Sequence, residues 1–133
     1  MTKARRATLE VLEQTDRPLS ANEVSARIRL NCNPVTVYRT LHYLESAGYA
    51  ESFVLHCTEH GTERYYTAVD TFSPHHHGCH CEQCHTFIDL GDCSITNLIT
   101  TYERDKGLRV TGHTLYFTGV CPQCARDLPT GTS

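Results

Sequence analysis

The sequence predicts an α+β protein built from two small lobes, and two observations carry this prediction. Amphipathic helical patterns fill residues 1–49, and two short extended stretches follow them. From residue 70 onward, extended and helical patterns alternate and cysteine and histidine become frequent. At 133 residues the chain suffices for two lobes only if each gains extra stability from a metal ion or a partner subunit. We therefore expect one lobe over residues 1–69 and another over 70–133.

Two helices are predicted ahead of residue 30. Residues 3–14 place apolar side chains at helical spacing and end before the segment DRP. Ser20 then stands three residues before Glu23, which is the pattern of a capping box. A second helix over 21–29 follows from it.

A third helix is predicted over 34–46. Asn33 supplies an N-cap, proline occupies the first helical position, and Gly48 follows the last turn. One face of this helix is apolar and should be buried, and its members are Val37, Leu41 and Leu44. The opposite face and flank carry Val35, Thr36, Tyr38, Arg39, His42 and Tyr43.

Extended stretches over 50–56 and 64–69 are joined by a polar loop and predict a β-hairpin. Three helices followed by a hairpin form the winged variant of the helix-turn-helix, whose last helix enters the major groove of DNA. The residues that we expect to contact DNA are Thr36, Tyr38 and Arg39. The alternative is that Arg39 is a solvated surface cation.

The pattern of the second lobe predicts a strand, then a helix, then a second strand. Residues 86–90 are extended, 94–107 are helical, and 108–120 alternate as one long strand. The helix collects its apolar side chains on one face, and these are Ile95, Leu98, Ile99 and Tyr102.

Composition favours a cytoplasmic protein with no membrane segment. The start of the chain is charged and lacks the apolar run of a signal peptide, and no stretch approaches the roughly 18 apolar residues of a membrane helix. Thiols are reduced in that compartment, so paired cysteines favour metal ligation over disulfides. Residues 1–49 carry a small basic excess and the remainder is acidic, which suits an anionic partner for the first lobe and cations for the second.

Two CxxC pairs are the strongest chemical signal. Cys81 and Cys84 with Cys121 and Cys124 supply four thiolates, the ligand set of a closed structural zinc site. Each pair lies at a strand end, so the long gap between them is compatible with one shared ion. Two redox pairs or a disulfide arrangement are the alternatives.

A run of three histidines precedes the first pair. In a strand, His75 and His77 point to one face and His76 to the other. Together with Asp89 and His113 they could hold a divalent ion reversibly, as a sensor requires. A solvated turn is the alternative.

Three segments, PVTVYRTLHYLESAGY, HHHGCHCEQC and GHTLYFTGVCPQC, resemble the ferric uptake regulator family of metal-dependent bacterial repressors. The resemblance covers nearly the whole chain in the right order and is nearest to the zinc uptake regulators. It implies a winged-helix lobe, a dimerising α/β lobe and a homodimer that binds a palindromic operator when its sensing metal is bound. The family's TVYR motif falls on 36–39, and its structural zinc cysteines fall on the four named above.

The sensing residues match this family less completely. The resemblance implies Glu51 and His76 as hinge ligands, but the next family histidine falls on Gly78, and the second wing strand offers no carboxylate or cysteine. A further family site would use His75, His77 and His113, and some relatives use the position of Asp89. The residues that could substitute for the missing ligands are Cys57, His60, Cys79 and Cys93.

We therefore expect a zinc-sensing repressor of metal uptake genes, with a structural zinc ion, a second divalent metal, double-stranded DNA and a second copy of the chain as its partners. The metal alternatives are manganese, iron and peroxide-sensing iron. A zinc-containing thiol oxidoreductase is a remoter alternative that leaves the three-helix lobe without a purpose, and neither an enzymatic activity nor a small organic substrate is expected.

Overall fold

The computed structural model describes residues 1–28, 33–69, 76–92 and 94–127, without the side chains of His76 and Asp92. The chain divides into two compact units, Met1–Thr71 and Phe72–Ser133. The elements of the first unit, in chain order, are α1 Lys3–Gln14, β1 Leu19–Ser20, α2 Ala21–Arg27, α3 Pro34–Ser46, β2 Ala50–Cys57 and β3 Gly61–Ala68. Those of the second are β4 His76–Cys81, β5 Phe87–Asp92, α4 Thr96–Lys106, β6 Tyr116–Gly119 and α5 Pro122–Arg126.

The capping residues that the sequence predicts at the helix N-termini form hydrogen bonds in the first unit. The Ser20 hydroxyl accepts the backbone N–H of Glu23, and the Glu23 carboxylate accepts that of Ser20, which completes the capping box. The Asn33 side chain accepts the N–H of Thr36 at the start of α3. Each cap satisfies a helix donor that would otherwise lack a partner. The predicted bounds of α1 and α3 are confirmed.

The core of the first unit is formed by one face of each helix against the sheet. The apolar face predicted for α3 is buried, since Leu41 and Leu44 are fully covered and Val37 nearly so. Leu12 of α1 and Val24 of α2 pack into the same cluster. Burial of such side chains stabilises a small domain by about 1.5–3 kcal/mol each.

The hairpin of the first unit pairs β2 with β3 in antiparallel register, from Ala50 opposite Ala68 to Cys57 opposite Gly61. The short strand β1, which the sequence did not predict, adds to the other edge of β3 and gives the order β1-β3-β2. Three helices followed by an antiparallel hairpin is the predicted order of elements.

The second unit has the sheet order β5-β4-β6, with β4 antiparallel to β5 and parallel to β6. The predicted long strand over 108–120 is wrong, because only Tyr116–Gly119 pairs with the sheet. The register of β4 against β5 shifts between His76 and Gly78. An irregularity of this kind re-aims neighbouring side chains, so strict alternation does not hold through the histidine run.

Helix α4 lies in the second unit with its apolar face uncovered. It contains no buried residue, and Leu98 and Tyr102 are 48% and 49% exposed. Gly107 ends the helix in the left-handed conformation, as its position predicts. Across the described ranges, no helix has the length and apolar character that a membrane crossing requires.

Candidate metal centre and recognition helix

The four predicted zinc cysteines meet at one end of the second sheet. Cys81 ends β4 and Cys84 lies in the following turn, while Cys121 caps α5 and Cys124 lies within it. All four sulfur atoms lie within 4.8 Å of one another. The Sγ atoms of Cys84 and Cys121 are 3.7 Å apart. Tetrahedral zinc with Zn–S bonds of about 2.3 Å requires sulfur separations of about 3.8 Å, so this spacing fits the ion.

Backbone amides are already directed at these sulfur atoms. The N–H groups of Cys84 and Cys121 donate to the Sγ of Cys81 at 3.5 and 3.3 Å, and the N–H of Cys124 donates to Cys121 at 3.4 Å. Burial raises the pKa of Cys81, but these amides and that of Gln83 outweigh it and lower the pKa to about 6. The site therefore provides a thiolate, the form that binds metal, at neutral pH.

The rest of the cluster needs a cation. The pKa of Cys124 is raised to about 12, mainly by hydrogen bonding with the Cys121 side chain and to a smaller extent by burial. Four thiolates at this spacing repel one another, and a divalent ion supplies the charge that lets all of them ionise. The six described cysteines are unbridged. The donor set therefore fits a structural zinc ion, and the disulfide alternative finds no support among the described residues.

His77 and His113 form a second candidate metal centre. His77 on β4 is 4% exposed, and its Nδ1 lies 3.2 Å from the carbonyl oxygen of Leu115. A carbonyl only accepts, so a neutral His77 ring that donates here from Nδ1 has its lone pair, the metal-binding electron pair of imidazole, on Nε2. The His113 ring centroid is 5.3 Å from that of His77. The structure thus brings together two of the predicted sensing histidines, although His113 precedes β6 and does not lie in a strand.

The other predicted sensing residues are less assembled. Asp89 is exposed, and one carboxylate oxygen accepts the N–H of Gly91 at 2.7 Å. Glu51 is exposed on β2 and faces Thr67 across the hairpin. The residue opposite Glu51 in the hairpin is thus a threonine, which supplies neither a carboxylate nor a thiolate. His75 and Cys93 lie outside the described residues, as does the side chain of His76.

The backbone at Gly78 leaves little room for a side chain. A β-carbon built there would lie 2.9 Å from Cε1 of Tyr116 and 3.0 Å from the carbonyl oxygen of Ile88. Both separations are shorter than ordinary van der Waals contacts. A side chain at this residue would require the Tyr116 ring to move and the Ile88 carbonyl to give way, so glycine fits this position best.

A histidine pair beside the thiolate cluster was not predicted. Nε2 of His80, which is 1% exposed, lies 3.4 Å from Nδ1 of His85. The His80 ring also lies against Phe87, with centroids 5.0 Å apart. Alternation along β4 places His80 on the face opposite Cys81, but His85 takes a left-handed backbone conformation with φ 64°. No sequence signal marks a histidine for this left-handed position, which L-residues rarely adopt.

The predicted DNA-contacting residues line the outer side of α3. Tyr38 is 53% exposed and Arg39 is exposed, whereas Thr36 is half-buried. The Arg5 guanidinium from α1 lies 3.6 Å above the ring of Tyr43, a cation–π contact that brings basic α1 alongside α3. The exposed polar and aromatic side chains suit a phosphate and base surface.

Comparison with known proteins agrees with this architecture. The model of the ferric uptake regulator family matches residues 1–118. A ferric uptake regulation protein of Campylobacter jejuni is 27% identical over 128 residues, which span 92% of this chain and 78% of that protein. A zinc uptake regulation protein of Mycobacterium tuberculosis is 30% identical over 126 residues, or 92% of each chain. The Helicobacter pylori ferric uptake regulator superposes with a TM-score of 0.75 at 25% identity, covering 94% of this chain and 81% of that one.

The family inferred from the sequence is confirmed by these matches. Its members are transcription regulators and not enzymes, so the thiol oxidoreductase alternative is set aside. The relatives include both iron and zinc regulators, so membership by itself does not select the metal. The chain belongs to the ferric uptake regulator family of dimeric, metal-responsive transcription regulators.

Proposed function

We propose that this chain is a zinc-responsive repressor that acts in the cytoplasm on genes for metal uptake and homeostasis. In this proposal residues 1–69 bind a palindromic DNA operator, and residues 70–133 bind metal and form the homodimer. The single observation that supports the choice of zinc over manganese is the pairing of two imidazoles, since the His77 and His113 ring centroids lie 5.3 Å apart and Nδ1 of His77 lies 3.2 Å from the carbonyl oxygen of Leu115.

The ligand chemistry supports zinc over manganese. Imidazole and thiolate suit zinc, whereas manganese and magnesium prefer carboxylate and water oxygen. The Asp89 carboxylate already accepts a backbone N–H, and the residue opposite Glu51 is a threonine. Oxygen ligands are thus sparse among the described candidates. The proposed exchangeable ligands are Glu51, His75, His76, His77, Asp89 and His113.

The DNA contact is assigned to α3. Arg39 lies opposite the buried face of the helix and Tyr38 lies on its flank, and both side chains are exposed. In winged-helix proteins this side of the third helix enters the major groove, where arginine reads guanine or holds phosphate. Thr36 lies one turn nearer the helix start and completes the proposed contact set.

The homodimer interface is assigned to the uncovered face of α4. A helix with an apolar face and no buried residue needs a partner surface. A second copy of the chain supplies it, and a two-fold dimer explains a palindromic operator. Metal can regulate this dimer only by binding its DNA-competent arrangement more tightly, and a hundredfold preference is worth about 2.7 kcal/mol per site.

The test is a DNA-binding titration with zinc, manganese and ferrous iron after removal of only the exchangeable metal. We expect zinc to strengthen retardation of a palindromic duplex at lower free concentration than the other two ions. Equal binding with and without all three ions would refute metal sensing. A response to manganese or ferrous iron at lower free concentration than zinc would instead support the oxygen ligands Glu51 and Asp89 as the sensing set.

A further inference from the structure

The turn of the first-unit hairpin repeats the local geometry of the zinc-binding turn in the second unit. In the second unit, Cys81 and Cys84 are three residues apart, and the N–H of Cys84 donates to the Sγ of Cys81 at 3.5 Å. In the hairpin, Cys57 and His60 have the same spacing, and the N–H of His60 donates to the Sγ of Cys57 at 3.2 Å. Both turns thus direct a backbone donor at the sulfur of their first residue.

The match extends to the residue after each pair. His85 follows Cys84 with φ 64°, and Gly61 follows His60 with φ 68°. Both are in the left-handed region, which L-residues with a side chain rarely adopt. Each turn also joins two antiparallel strands, β4 to β5 in one case and β2 to β3 in the other. The hairpin turn therefore repeats the local backbone geometry of the Cys81–Cys84 turn, with histidine in place of the second cysteine.

The two side chains of this turn are close enough to share one ion. The Cys57 Sγ and a ring nitrogen of His60 lie within 4.8 Å of each other, the same limit that encloses the four-cysteine cluster. Cys57 is 4% exposed and His60 is exposed, so the sulfur lies at the base of the turn and the imidazole at its rim. His60 Nε2 also lies 3.9 Å from the Glu59 carboxylate, which places a negative charge near the ring.

We propose that the turn over residues 57–61 is a metal-binding half-site, in which the Cys57 thiolate and the His60 imidazole bind one exchangeable zinc ion. This inference rests on the proposed function and assigns it two ligands, Cys57 and His60, at the turn end of the hairpin. Binding releases the Cys57 thiol proton. Zinc prefers four ligands, and the remaining positions are open to water or other side chains, so the ion is held less tightly than by four thiolates.

The experiment uses the full-length chain with its structural zinc in place and Co²⁺ as the probe. Cobalt bound by a thiolate produces a sulfur-to-metal charge-transfer absorption, whereas cobalt bound by imidazole and carboxylate does not. The structural cysteines stay occupied by zinc, and His77 and His113 contribute no sulfur. The absorption therefore reports a thiol outside the four-cysteine cluster.

We expect wild-type protein to bind one Co²⁺ with this absorption and zinc to displace it. Cys57→Ser should abolish the absorption. His60→Gln should weaken Co²⁺ binding at least about tenfold, since loss of even an outer-shell partner costs about 10- to 100-fold. Two matched controls should leave it unchanged: Cys79→Ser removes another thiol, and His56→Gln removes a neighbouring exposed histidine.

An absorption that persists in Cys57→Ser, or that disappears in Cys79→Ser, would overturn the proposal. Because Cys57 is buried, retained zinc and an unchanged circular dichroism spectrum must verify the fold of its variant. His60→Gln changes an exposed side chain, so unchanged affinity in this variant also overturns the proposal. Operator binding with and without zinc, measured on the same proteins, separates the half-site proposal from the proposed function. If the wild type binds the operator equally well with and without zinc, the proposed function is refuted whatever the cobalt spectrum shows.

Discussion

Gly78 lies against Tyr116, and a β-carbon at residue 78 would stand 2.9 Å from Cε1 of that ring. The two residues are partners in the parallel pairing of β4 with β6. The same added carbon would stand 3.0 Å from the carbonyl oxygen of Ile88, which belongs to the backbone and cannot rotate away. The sheet of the second unit thus closes around a position that has no side chain.

Gly78→Ala should destabilise the protein by about 1–3 kcal/mol, the usual cost of inserting a methyl group into a packed site. Urea unfolding followed by circular dichroism measures it. Gly112→Ala is the control, because a β-carbon there meets nothing within 4 Å. A smaller Tyr116→Ala side chain should relieve part of the Gly78→Ala penalty, and equal stability of Gly78→Ala and wild type would contradict the steric account.

Cys124→Ser should remove the tightly bound zinc and lower the melting temperature of the second unit. Three remaining thiolates hold the ion less well, and zinc binding contributes directly to folding in such small units. Metal content after dialysis and thermal unfolding measure the effect. Cys79→Ser is the matched control, since Cys79 lies on β4 outside the cluster. A Cys124→Ser protein that keeps one zinc per chain and its wild-type melting temperature would rule out the four-cysteine site.

Arg39→Ala should weaken operator binding by about 1–3 kcal/mol, whether the guanidinium reads a base or holds a phosphate. The salt dependence distinguishes the two roles, because loss of a phosphate contact lowers the slope by about one, while loss of a base contact relaxes sequence preference. Arg104→Ala removes an equal charge from α4 and serves as the control. If both variants bind the operator as wild type does, α3 is not the recognition helix.

Leu98→Asp should shift the protein from dimer to monomer, because it places a charge on the uncovered apolar face of α4. Sedimentation equilibrium measures the change. Thr100→Asp adds the same charge to the opposite side of the helix and should leave the dimer intact. A dimer that tolerates both substitutions would move the interface away from α4.

Glu23→Gln should reduce the acid sensitivity of the first unit. Burial raises the pKa of Glu23, but the Ser20 amide and the Arg17 guanidinium outweigh it and hold the pKa below its ordinary 4.5. A lowered pKa in the folded state adds stability that is present above 4.5 and is lost as the pH falls through the lowered value. As the pH falls from 4.5 through the lowered pKa, the wild type should therefore lose more stability than Glu23→Gln. Urea unfolding at each pH measures the difference. Glu13→Gln on the exposed side of α1 should behave like the wild type.

The elements that could be predicted from the residues are those whose signals are local. The Ser20–Glu23 capping box, the Asn33 cap with its following proline, and the spacing of Val37, Leu41 and Leu44 each act within one helix. Two CxxC pairs predict a shared ion for a similar reason, since the ligand chemistry is contained in the motif. These signals were sufficient for the family and for the four cysteines proposed to bind its structural metal.

Features that depend on distant segments were predicted wrongly or not at all. The segment 108–120 alternates like a strand, yet only four of its residues reach β4, because pairing depends on the neighbour and not on the pattern. The exclusion of a side chain at Gly78 requires Tyr116 and Ile88, which are remote in sequence. The similarity of the turns at Cys57 and Cys81 likewise lies in their backbone angles and N–H···S bonds. Residue identities do not determine these features, because tertiary packing selects among the allowed backbone conformations.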